Sequence, residues 1–189
     1  MMAMLPGNMN SKLSWDSVQS EFGSTESIFI AFGKKNENIF NQKAFLHLWA
    51  LTNALQEIDE VEKVTSISSI PKIENVDGFL EVSPLQSKAK LNESQISDIT
   101  KYLNNNSSIK KRSVSKNQDY FNVLVQPSKD IPHNILRDAI VEVGDSLLSK
   151  NYEIHYGGTA YITGSVPGMI KKDISTLLLI GIVLMTTVL

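Results

Sequence analysis

From Ser27 to Phe32 the chain reads SIFIAF, with Ile28, Ile30 and Phe32 on one face of an extended strand and Phe29 and Ala31 on the other. Apolar residues on both faces predict a strand inside a sheet. A polar turn covers Gly33 to Asn38. Ala44, Leu48, Leu51, Leu55 and Ile58 then recur at spacings of 4, 3, 4 and 3, which stacks them on one side of a helix over 41–58, and Phe45 widens the stripe. VEKVTSI (Val61–Ile67) reads as a second strand, more polar and so nearer an edge.

Between Ser68 and Asn117 the pattern is interrupted. Pro71, Gly78 and Pro84 punctuate it, and a short helix follows. Asn92 is its expected N-cap, Gln95 holds the capping-box position, and Leu91 and Ile96 are spaced as a hydrophobic staple. Ile96, Ile99 and Leu103 form its apolar face. Asn104–Ser108 ends it, and KKRSVSKNQD predicts a basic, turn-rich stretch. Tyr120–Val125 is a third strand. Asp130 and Pro132 announce another helix, with Ile135, Leu136, Ala139, Ile140, Val143 and Leu147 as its stripe and Asn151 as a left-handed exit. Tyr152–Tyr156 is the fourth strand and runs into Gly157 and Gly158.

The order predicts an α+β fold, the split β-α-β-β-α-β plan of ferredoxin-like domains, with a helical insert at about 68–118. Right-handed βαβ units place both helices on one face of the sheet. Residues 1–26 are polar and read as a lead-in, 27–165 as the domain, and 166–189 as a linker helix and an apolar tail. From Ile174 the tail reads ISTLLLIGIVLMTTVL, 16 residues without a charge. A helix of that length covers roughly 24 Å, against ~30 Å of bilayer hydrocarbon. Its polar residues form no wet stripe of the kind a core helix carries. The segment is expected to be the opening three-quarters of a transmembrane helix, with Lys171, Lys172 and Asp173 as an interfacial anchor. Two lysines there would favour a cytoplasmic flank, though long domains cross regardless of flanking charge. MMAMLPGNMN has no basic start and no apolar stretch, so it is not read as a secretory signal.

Composition narrows the chemistry. With 42% hydrophobic and 20% charged residues, the 189-residue chain can build a core. A net charge of −2 gives no basic footprint for nucleic acid. The absence of cysteine excludes thiol chemistry, disulfides and thiolate metal sites. His47, His133 and His155 lack metal-ligand spacing. Asp138, Glu142 and Asp145 read as the wet side of a helix, and Asp59 and Glu60 as turn residues. GGTAYITGSVPG has neither a Walker ending nor G-x-G-x-x-G spacing, so a hinge between strand and membrane is expected there. Lys110, Lys111 and Arg112 lack interleaved aromatics and read as a solvated loop. No catalytic residue, metal or cofactor is assigned.

YEIHYGGTAYITGSVPGMIKKDISTLLLIGIVL resembles the end of the first periplasmic loop of resistance–nodulation–division (RND) transporters, in the MMPL and hydrophobe-exporter branch. Those loops end on a strand, a Gly-Thr-Pro-like turn, a short helix and an Asp, directly before the second transmembrane helix. Gly158 and Thr159 match the turn, Ala160 stands where Pro is usual, and Asp173 matches the Asp. IFIAFGKKNENIF and VEKVTSISSI are similar to the first half of the same porter domain, so the resemblance covers residues ~25–189. It implies a non-enzymatic porter domain of a proton-driven exporter in the bacterial inner membrane, with residues 1–170 periplasmic. It also implies a lipid bilayer contact through 174–189, partnership with the exporter's other transmembrane and porter domains, and a hydrophobic or amphiphilic substrate. The proton-carrying carboxylates of such exporters lie in other helices. Two rival readings are a membrane-anchored periplasmic binding or adaptor domain, and a soluble ferredoxin-like ligand-binding domain whose last helix is core.

Overall fold

Ile28, Ile30 and Phe32 are fully buried in strand β1 (Ile28–Gly33), while Phe29 on the other face is 52% exposed. In this computed structural model residues 9, 10, 13, 14, 17, 26–76, 78–128 and 131–188 are described. Most of the expected lead-in, and Asp130, lie outside them.

Helix α1 (Gln42–Gln56) starts where the Asn41 side chain accepts from the Ala44 amide at 2.9 Å. Its buried residues are the expected stripe Ala44, Phe45, Leu48, Leu51 and Leu55, with Thr52 added. Thr52 can join the core because its hydroxyl donates to the Leu48 carbonyl and meets Ser66 Oγ at 2.8 Å. Strand β2 (Val61–Thr65) follows.

The insert departs from expectation. Pro71–Val76 and Phe79–Pro84 form an antiparallel hairpin, strands β3 and β4. The residues around its turn read V-D-G-F, and Gly78 has φ +87°. Asp-Gly between alternating apolar residues is a strong hairpin signal, because Gly takes positive φ without steric cost. Helix α2 (Glu93–Asn105) has the capping box expected at Asn92 and Gln95 and buries Ile96, Ile99 and Leu103. The basic stretch after it is not a loop at its start: Ser107–Ser113 is helix α3, with Lys110, Lys111 and Arg112 in its last turn. Cations at a helix C-terminus oppose the partial negative charge of its free carbonyls.

Strand β5 (Tyr120–Pro127) alternates strictly, burying Phe121, Val123, Val125 and Pro127. Helix α4 (His133–Leu148) buries Leu136, Ile140, Gly144 and Leu148. Ile135, expected in that stripe, is exposed instead. Asn151 is not left-handed either: the positive-φ non-glycine residues among those described are Asn36 and Gln118. The Asn151 amide donates to the Leu148 carbonyl, and its Oδ1 accepts from Lys43 Nζ at 2.6 Å. Strand β6 (Glu153–Gly157) closes the sheet, and helix α5 (Thr159–Val188) follows.

The main sheet has the order β2–β5–β1–β6, every neighbouring pair antiparallel. β1 is therefore internal and β2 lies at an edge, as their patterns predict. The register of β2 shifts between Val61 and Lys63, a bulge at Glu62. α1 and α4 pack together on the buried face. Phe45 and Phe121 meet there with ring centroids 5.0 Å apart, and Phe32 meets Phe121 at 5.9 Å. The register also fixes two poles. Gly33, Tyr120 and Glu153 share one end of the sheet, with Phe29 and Gly157 toward the other. The insert is rooted at the first pole, where Leu85 bonds to Ile70 and Gln86 to Phe45 in the first turn of α1. α5 leaves from the second.

Candidate functional site: a helix rooted at Gly158

Gly158 has φ +102°, and a Cβ there would lie 2.2 Å from the Ser27 carbonyl oxygen. Only glycine fits this turn out of β6. Thr159 opens α5 and is exposed. Ala160, where the resembling family carries Pro, is fully buried. Gly164 packs against α4 so closely that a Cβ would fall 2.4 Å from the His133 carbonyl oxygen. The Arg137 guanidinium lies 5.6 Å from the centroid of the Tyr161 ring, and Tyr161 stacks on Tyr156 at 5.7 Å. Burial raises the Tyr156 phenol above its usual range, helped by its hydrogen bond to Asp145 at 2.9 Å. His133 Nε2 meets Glu26 Oε2 at 2.6 Å, tying the approach to β1 onto the start of α4.

This packing stops at Ser165. From Val166 to Thr187 every residue except the half-buried Gly181 is exposed. The helix is nevertheless continuous across Pro167. The glycine-rich stretch is therefore mostly helix rather than the expected hinge, since Gly164 and Gly168 lie inside α5 and only Gly158 has an unusual angle. Asp173 stands exposed on α5 beside Lys171 and Lys172, 14 residues from Thr159 and far from the turn. The structure thus brings Gly158 and Thr159 together and leaves Asp173 apart.

Beyond Asp173 the surface is apolar. Ile174, Leu177, Leu178, Leu179, Ile180 and Ile182 are each about half exposed or more, and the pattern runs on through Met185. The four hydroxyl residues in this segment turn inward. Ser175 donates to Lys171, Thr176 to Lys172, Thr186 to Ile182 and Thr187 to Val183. Such back-bonding satisfies the hydroxyl within the helix itself. No helix among the described residues is long and apolar enough to cross a membrane. The three charges at 171–173 limit the uncharged part of α5 to about 22 Å.

Elsewhere the polar groups are largely engaged. A groove of about 700 Å³ lies between the start of α1 and α2, lined by Asn38, Phe40, Asn41, Lys43, Ile96 and Thr100 among others. Asn38 Oδ1 already accepts from Phe40 and Asn41 Oδ1 from Ala44. On the open face of the sheet Tyr120 donates to Glu153 at 2.6 Å, and its ring lies 5.5 Å from that of His155. No group of three His, Asp or Glu side chains among the described residues is placed to hold a metal ion. No known family model and no curated protein sequence matches the chain.

Proposed function

We propose that the chain is a ferredoxin-like periplasmic domain rooted in the bacterial inner membrane by α5, of the kind that forms the first porter loop of an RND-superfamily, MMPL-like exporter. One observation carries the membrane part. The segment after Asp173 presents apolar side chains on all sides, with every hydroxyl bonded back into its own helix. Water is a poor solvent for that surface, and exposed patches of this size mark an interaction with lipid or protein. β1 and β2 lie on either side of β5, each antiparallel to it, which supports the split βαβ plan. A last helix that serves as core would be buried against the sheet, and α5 beyond Ser165 is not.

In this reading Lys171 and Lys172 sit among headgroups and residues 174–189 enter the hydrocarbon. The domain performs no covalent chemistry. It lines a path for a hydrophobic or amphiphilic substrate and moves with α5, through the contacts of Ala160, Tyr161 and Gly164 with the rest of the domain. Proton coupling belongs to carboxylates in the exporter's other transmembrane helices, where buried ionisable groups serve that role.

Fractionation tests the membrane part. The full chain, expressed in a bacterium, is expected to stay with membranes through an alkaline carbonate wash, and a Leu178→Lys, Val183→Lys double variant to be released. Release of the parent chain by carbonate would overturn it. The coding DNA on either side tests the transporter part. An open frame continuing into further apolar spans is expected. A frame that closes at once on both sides leaves a membrane-anchored binding or adaptor domain.

A further inference from the structure

The β3–β4 hairpin carries a second uncovered apolar surface. Its register pairs Pro71 with Pro84, Ile73 with Val82 and Asn75 with Leu80. Alternation puts Pro71, Ile73, Leu80, Val82 and Pro84 on one face of the ribbon. Ile73, Leu80 and Val82 are 62%, 76% and 65% exposed, and both prolines are exposed as well. The face has no charged position. Lys72 and Glu81 fall on the other side, together with the exposed Phe79 at the turn.

The hairpin is rooted at the Gly33 pole and α5 leaves from the Gly157 pole. The ribbon and α5 therefore start from opposite ends of the sheet. We infer that this face is where two copies of the chain associate, packing ribbon against ribbon about a two-fold axis. A second copy suits this face in area, in charge and in the state of its edges. The five exposed apolar residues offer on the order of 500 Å² per chain, so a pair buries on the order of 1,000 Å², the lower bound for a specific interface. The surface is self-complementary, because an uncharged face meets its own image without opposing like charges. The free edges do not compete. A proline in each strand, Pro71 and Pro84 paired at the base of the ribbon, discourages edge-to-edge growth while leaving its face available.

The inference does not depend on the membrane reading, and its test separates the two. The full chain is held in dodecyl maltoside, which covers α5, and its protein mass is measured by sedimentation velocity over a hundredfold range of concentration. A monomer–dimer equilibrium is expected. Leu80→Lys combined with Val82→Lys should raise the dissociation constant by about a hundredfold or more. Circular dichroism of that variant should be unchanged, since both positions are exposed. The chain has no native cysteine, so Leu80→Cys supplies a single reporter, expected to oxidise to a covalent dimer. A dimer that survives the lysine pair would place association in α5 and overturn the proposal. A monomeric parent would overturn it too: a Leu80→Cys thiol shielded from maleimide would show that another segment of the chain covers the face, and an open thiol that the face meets no second copy. Carbonate fractionation of the same variants reads the membrane proposal independently.

Discussion

The Gln86 side-chain amide donates to the main-chain carbonyl of Phe45 at 3.2 Å, joining the insert to the first turn of α1. The same amide donates to the Lys88 carbonyl at 3.0 Å, and its oxygen accepts from Ser68 at 2.7 Å. Gln86 is fully buried. Gln86→Leu keeps the volume but strands these partners, and is expected to cost about 2–4 kcal/mol in urea unfolding. A variant as stable as the parent would mean the three bonds contribute nothing net.

Asp119 anchors the other side of the same pole. Its carboxylate accepts from Ser115 Oγ at 2.5 Å, and the Asp119 carbonyl accepts from the Lys34 amide at 3.2 Å. The Ser115 hydroxyl, outweighing burial and helped by the Asp119 and Asn36 amides and the Lys35 charge, holds the carboxyl below the usual range. A lowered folded pKa adds stability above the unfolded value, about 3.9, that is lost as pH falls through the folded value. Asp119→Asn should flatten the acid limb of the stability–pH curve below about pH 4, while Asp119→Ala should lower Tm by roughly 5 °C at neutral pH. An unchanged acid limb in Asp119→Asn would rule out this anchor as its source.

Tyr120 responds at the opposite end of the scale. Its hydrogen bond to Glu153, with burial and the carboxylate charges of Glu153 and Asp119, pushes the phenol up to about 12. A raised folded pKa means the contribution is complete below the unfolded value near 10 and disappears as pH rises toward 12. Difference absorbance at 295 nm should show one tyrosine ionising earlier in Glu153→Ala than in the parent. Identical titrations would remove Glu153 as the cause.

Two glycines in and beside α5 should answer oppositely to alanine. At Gly158 the backbone angle and the Ser27 carbonyl both resist a Cβ, and Gly158→Ala is expected to cost about 2–3 kcal/mol. Gly168 has open space around it, and Gly168→Ala should stabilise α5 by up to about 1 kcal/mol through helix propensity. Paired thermal melts in detergent measure both. Equal effects would contradict the packing described at the root of α5.

The main sheet and its helices were legible because burial imposes a period. Ile28, Ile30 and Phe32 alternate, and Ala44, Leu48, Leu51 and Leu55 repeat as helix turns, since each element hides one side. The hairpin hides neither side, so Ile73, Leu80 and Val82 left no inside-outside contrast to read, and only the Asp-Gly turn marked it. α3 was obscured because NNNSS reads as a terminator, while its helix is completed by Lys110, Lys111 and Arg112 at the far end. At the root of α5, the need for glycine at 158 could be anticipated from the paired glycines. The contact of Gly164 with the His133 carbonyl could not, because residues 31 apart in sequence give no local sign of touching.

The bulge in β2 bears on what this molecule does at high concentration. A flat outer strand offers a ladder on which further chains polymerise. Here the bulge at Glu62 makes β2 irregular on one side, and β6 on the other is only five residues long and sets out Glu153 and His155. Neither border is a good template for a fibre. A face that pairs with its own image closes after two partners, so the chain can crowd without growing into filaments.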